Sequence, residues 1–138
     1  MRSVLAVATL ILVLPVSLLA NEKEAISKAQ GAAGAWLALA DSAKYGQSWD
    51  ESASLFKAAV PRADWERAVK AVRAPLGAVR SRKIRSATFS RTLPGAPDGE
   101  YVVIQFDTQF EHKAAAVETV TPMREKDGSW RVSGYFIK

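Results

Sequence analysis

Apolar side chains recur every three to four residues up to about Ala78 and every second residue beyond it, and no other feature constrains the fold as strongly. Before the switch, Ile26, Ala29, Ala33, Trp36, Ala40 and Ala43 make one stripe on a helix face. Asn21 followed by Glu24 resembles a capping box and predicts the helix start; Gly46 predicts its stop. The small residues Gly31-Ala32-Ala33-Gly34-Ala35 weaken the helix intrinsically but let a neighbour approach closely. Ser48 and Glu51 open a second, short helix running through Leu55 and Phe56. Pro61 predicts the start of a third, with Trp65, Ala68, Val69 and Val72 on its apolar face and Pro75 and Gly77 closing it.

After the switch, Val102, Ile104, Phe106 and Phe110 alternate with Gln105, Asp107 and Gln109. Strands are expected over about 79–92, 100–110, 115–124 and 129–137. Their links are short, and Asp127-Gly128 is a strong hairpin signal. Short links require antiparallel neighbours, because a parallel pair needs a long crossover. The expected class is α+β: three N-terminal helices packed on one face of a curved, four-stranded antiparallel meander.

The first twenty residues read differently from the rest. Arg2 is followed by Val4 to Ala20 without a charged residue, and a small residue closes the run. These are the parts of a secretory signal peptide, with cleavage expected after Ala20, although Leu18 is large for its place. A retained anchor is the alternative. Pro15, Thr9 and the acidic-rich Asn21-Glu22-Lys23-Glu24, with no basic stop-transfer cluster, argue against it. The expected organisation is a signal peptide over 1–20 and a single domain over 21–138, in the periplasm or secreted. The chain has no cysteine, so a lipid-modified cysteine is excluded and packing must supply stability without disulfides.

The formal net charge is +5, and its excess has an address. Arg80, Arg82, Lys83, Arg85 and Arg91 lie in one segment without an acid; outside it and the leader, 13 basic residues face 14 acidic ones. On an edge strand such charges discourage aggregation by strand pairing. The functional alternative is an acidic partner, an acidic envelope protein or an anionic glycolipid. Nucleic acid is not an expected partner, since no recognition motif accompanies the charge.

Ala35-Trp36-Leu37, Tyr45-x-x-Ser48-Trp49-Asp50, Leu55-Phe56, Pro75-Leu76-Gly77, Gly99 to Phe106, Val117 to Pro122 and Trp130 to Ile137 resemble, in that order, the DUF4019 family of small exported proteins from Gram-negative bacteria. The resemblance implies export and a compact domain of unknown function; it supplies no catalytic residues. Helices followed by a sheet ending in Gly128-Ser129-Trp130-Arg131-Val132 also resemble, more loosely, the nuclear-transport-factor-2-like cone, with a cystatin-like arrangement as the alternative. That cone would enclose a pocket between helices and sheet, but fold alone does not choose a function.

An enzyme of this shape would need a pocket carboxylate as general base and a hydrogen-bond donor beside it. The candidates are Asp50, Asp107 and Glu118, with Tyr45, Tyr101 or Tyr135 as donors. Alternation turns Asp107 toward water, Asp50 fits the first turn of a helix, and the faces around Glu118 cannot be separated. His112, the single histidine, falls in a turn, and neither a metal-ligand cluster nor a nucleophile elbow accompanies it. No cofactor or metal is implied. Trp36, Trp49, Phe56 and Trp65 read as core. Tyr101, Val103, Tyr135 and Ile137 are expected on the open sheet face, as a possible dimer or partner surface. The expectation is therefore a non-enzymatic exported binding domain. The alternatives are an isomerase or lyase using a cavity carboxylate, and an inhibitor or accessory protein docking through the basic strand.

Overall fold

The structure is a computed structural model and describes residues 16–138. Four helices precede four strands: α1 (Val16–Asp41), α2 (Tyr45–Asp50), α3 (Ser54–Ala59), α4 (Arg62–Leu76), β1 (Val79–Ser90), β2 (Tyr101–Phe110), β3 (Lys113–Arg124) and β4 (Trp130–Ile137). The change of apolar period near Ala78 is thus the boundary between helices and sheet. All neighbouring strands are antiparallel, in the order β1-β2-β3-β4, and the sheet is not closed into a barrel. The expected α+β meander with helices on one face is the observed one.

The helices differ from expectation in detail. The expected second helix is two short ones, α2 and α3, separated at Glu51–Ala53. The amide of Ala53 donates to the Val132 carbonyl at 2.8 Å, so this break ties the helices to the outer side of β4. α1 runs straight through Asn21, where a start was expected, and Glu24 pairs forward with Lys28 at 2.9 Å instead of capping. It ends at Asp41, ahead of Gly46, through a turn in which Ala43 takes a positive φ of 58°. α4 ends as expected: Gly77 has φ 75°, and a side chain there would collide with Glu111 and His112 of the β2–β3 turn. Residues 1–15 of the expected signal peptide lie outside the described residues. Val16 to Ala20 begin α1, Leu18 and Leu19 are exposed, and from Leu18 onward Ala25 is the first buried residue of that helix.

The core forms where the α1 stripe meets the sheet. Ala29, Ala33, Trp36, Leu37 and Ala40 pack with Trp65 and Val69 of α4 against Val102, Ile104, Phe106, Val120 and Val132. Each large apolar side chain so buried contributes on the order of 1.5–3 kcal/mol. Three small alanines in that stripe, Ala29, Ala33 and Ala40, bring the α1 backbone close to the sheet. The tryptophans also consume the buried serines: Trp36 Nε1 donates to the Ser48 carbonyl (2.9 Å) and to Ser52 Oγ (3.1 Å), and Trp65 Nε1 donates to Ser48 Oγ (3.0 Å). Two polar residues inside the core are thereby satisfied, and α2 is locked between α1 and α4.

The apolar face of α4 is not the one its sequence implies. Val72 is exposed and Arg73 is buried. The inward stripe is Trp65, Val69 and Arg73 at steps of four, which brings a guanidinium to the end of the core.

Candidate functional site

Beyond Trp36 the interface between helices and sheet changes character. Asp41 at the end of α1 and Arg73 from α4 meet one residue from every strand: Arg82 of β1, Thr108 of β2, Glu118 of β3 and Tyr135 of β4. Strand register builds this meeting. Arg82 stands opposite Thr108, and Phe106 opposite Glu118, so these positions share the face that carries Ile104 and Val120.

Glu118 is the centre, with a relative exposure of 0%. Its Oε1 accepts from Arg82 Nε at 2.7 Å and from Thr108 Oγ1 at 2.6 Å. Its Oε2 accepts from Arg82 Nη2 at 3.3 Å and from the Tyr135 hydroxyl. Asp41 completes the cluster, taking Arg82 on both oxygens (2.8 and 3.0 Å) and Arg73 Nη2 at 2.7 Å. Two guanidinium groups thus face two carboxyl groups. Arg73 also lies over the Phe110 ring, 5.1 Å from its centroid.

The electrostatics follow from this geometry. Burial alone would push the Asp41 carboxyl up, but hydrogen bonds from Arg82 and then Arg73 outweigh it and hold the group below its ordinary 3.8. Tyr135 is pushed above its ordinary 10.0, first by burial, then by the charge of Glu118 and the bond to it. Arg82 is held more firmly protonated than usual: its desolvation is outweighed by the bonds to Asp41 and Glu118.

Chemically, this arrangement is closed. Each oxygen of Glu118 already accepts two hydrogen bonds, and the tyrosine that would serve as donor to a substrate donates to that carboxyl. The groove between α1 and β4, about 360 Å³, is lined by Ala32, Trp36, Leu39, Gln47, Trp130 and Arg131, and its walls include neither Glu118 nor Tyr135.

The other two candidate carboxylates stand apart. Asp107 is exposed on the opposite sheet face, as alternation predicts, 3.9 Å from Arg85. Asp50 is the last residue of α2 rather than in a first turn; Arg62 pairs with both its oxygens, and that hydrogen bond first of all lowers its pKa. Of the three candidates, only Glu118 reaches the cluster. His112 is exposed beside Glu111. Among the described residues no group of three or more histidine, cysteine or carboxylate side chains could hold a metal.

The basic strand is an edge of the sheet. Its cations divide: Arg82 turns inward to Asp41 and Glu118, while Arg80, Lys83, Arg85 and Arg91 stay exposed. Two register shifts bend the strand. Between Val79↔Phe110 and Ser81↔Gln109 the extra residue is Arg80; between Ile84↔Phe106 and Ser86↔Gln105 it is Arg85. Bulges carrying arginine at both places interrupt the ladder and blunt the edge.

The expected open-face quartet is not one surface. Tyr101 is covered, its hydroxyl donating to the Pro97 carbonyl at 2.6 Å, and Val103, two residues on, is half-buried. Tyr135 and Ile137 lie on the helix side, opposite Val120 and Glu118, and Tyr135 meets the Trp36 ring edge-on at 5.0 Å. The cause is an extra residue, Ser133, between Pro122↔Val132 and Thr121↔Gly134, which reverses the alternation of β4. Phe136, 58% exposed, takes the outer face in their place.

Fold and cluster together define a helix-on-sheet α+β domain whose buried carboxyl cluster is saturated internally. Residues 32–135 match the family described as protein of unknown function (DUF4019), and the chain belongs to that family. No curated protein matches it. Among the described residues no helix is long and apolar enough to cross a membrane.

Proposed function

We propose that this is an exported, non-enzymatic interaction domain of the cell envelope, acting through its surface rather than through an internal cavity. The observation that carries this reading is the saturation of Glu118. A general base needs a free lone pair and room for a substrate, and this carboxyl accepts four hydrogen bonds from Arg82, Thr108 and Tyr135. Tryptophans and alanines occupy the space in which a cone fold would hold a ligand. Export is supported by the uncharged Val4–Ala20 run behind Arg2 and by the exposure of Leu18 and Leu19: a cut after Ala20 removes no buried side chain among the described residues.

Native mass spectrometry of the protein isolated from the envelope tests both halves at once. The expected result is a chain beginning at Asn21 with no small molecule retained. A chain still carrying Met1 would overturn cleavage after Ala20 in favour of a retained anchor; a stoichiometric small ligand would overturn the surface reading in favour of a cavity.

A further inference from the structure

We infer that the β1 edge docks the protein on a phosphate-bearing anionic lipid surface, an inference that rests on the exported interaction-domain reading. The basic surplus of the folded chain is confined to residues 80–91, and the structure spends only Arg82 of that segment internally. Arg80, Lys83 and Arg85 remain on the free rim of the sheet, within six consecutive residues. On β2, Asp107 stands opposite Lys83 and 3.9 Å from Arg85, so these two cations share one carboxylate; the acid at the Arg80 end is Glu111, whose carboxylate is 3.5 Å from the Ala78 amide. Charge complementarity therefore calls for an anionic partner.

The shape of the edge selects among such partners. An acidic peptide adding itself as a strand needs an unbroken ladder, and the bulges at Arg80 and Arg85 interrupt it. A lipid surface makes no such demand. It accepts cations on long, mobile stems spread along a rim, with guanidinium groups well suited to phosphate oxygens. It also accommodates Ile84, a large aliphatic side chain 52% exposed on the same rim, opposite Phe106 and so on the helix-side face rather than on that of Lys83, which can enter the boundary between headgroups and acyl chains.

The test is co-sedimentation of the purified protein with vesicles of phosphatidylcholine alone and of phosphatidylcholine mixed with phosphatidylglycerol. Binding is expected only to the mixed vesicles. The triple variant Arg80→Ser, Lys83→Ser, Arg85→Ser is expected to weaken it about a hundredfold, since each cation near an anionic surface is worth about 1 kcal/mol. Ile84→Ser is expected to weaken it severalfold without any change of charge. A control removing three exposed lysines elsewhere, Lys44→Ser, Lys70→Ser and Lys126→Ser, is expected to retain most binding. Absence of binding to mixed vesicles overturns the inference, as does an equal loss in the control. Binding to polyglutamate but not to vesicles would assign the edge to an acidic protein instead. Finding the protein in the cytosol while the vesicle results hold would contradict export alone, so the two failures are separable.

Discussion

The same two layers meet in two ways, one on each side of Trp36. On one side Leu37, Ile104, Val120 and Val132 pack as in any apolar core; on the other, Asp41, Arg73, Arg82, Thr108, Glu118 and Tyr135 are held by hydrogen bonds. The apolar half gains free energy from every methylene removed from water. The ionic half must first lose the hydration of four charged groups, and its pairing repays that cost only when every partner is in place. The difference teaches what each half contributes. Apolar packing would tolerate small slides of the strands, whereas the cluster joins one side chain from each strand to two helices at fixed distances and so sets register and edge position.

Five predictions sharpen that contrast, from the largest effect down. Glu118→Ala leaves Arg82 paired only with Asp41 and deprives its Nε and two hydroxyls of their acceptor, and chemical denaturation is expected to show a loss of about 3–5 kcal/mol. Leu37→Ala, a cavity in the apolar half, is expected to cost about 2–5 kcal/mol in the same assay, with the fold retained. Should Glu118→Ala instead behave like an exposed substitution, the ionic half would have no structural role. Tyr135→Phe removes one donor from Glu118 and is expected to cost about 1–3 kcal/mol.

The smallest effects are read in pH. Asp41 has a folded pKa below its unfolded 3.8, so its contribution is present above that value and lost as the pH falls through the lowered one. Tyr135 is raised above 10.0, so its contribution is present below that pH and lost as alkali deprotonates it. Unfolding midpoints followed across pH are therefore expected to lose their acid slope in part in Asp41→Asn and their alkaline slope in part in Tyr135→Phe. Asp50→Asn, at an exposed pair with Arg62, is expected to leave the neutral-pH midpoint unchanged.

Much of this architecture is legible in the chain because side-chain period is a direct consequence of backbone geometry. The switch at Ala78, the hairpin at Asp127-Gly128 and the outward turn of Asp107 all follow from it. What was illegible has two physical sources. A bulge adds one residue without altering composition, so nothing around Ser133 announces that Tyr135 and Ile137 turn inward. Long-range pairing leaves no local trace either: Asp41, Arg73 and Thr108 were not among the expected site residues, and Glu118 sits in a strand with apolar neighbours on both sides. One signal was present. Arg73 falls four residues after Val69 and eight after Trp65, on the apolar stripe, where an arginine needs a buried partner.

The account depends on Glu118 and Arg82 acting as a unit within the fold, and a double-mutant cycle of Arg82→Met and Glu118→Leu, followed by denaturant unfolding, measures that directly. The predicted result is a double variant that loses less stability than its two single variants combined, by about 2–3 kcal/mol. Losses that simply add would contradict it, leaving Glu118 as a buried acid without a structural partner and reopening the case for chemistry inside the domain.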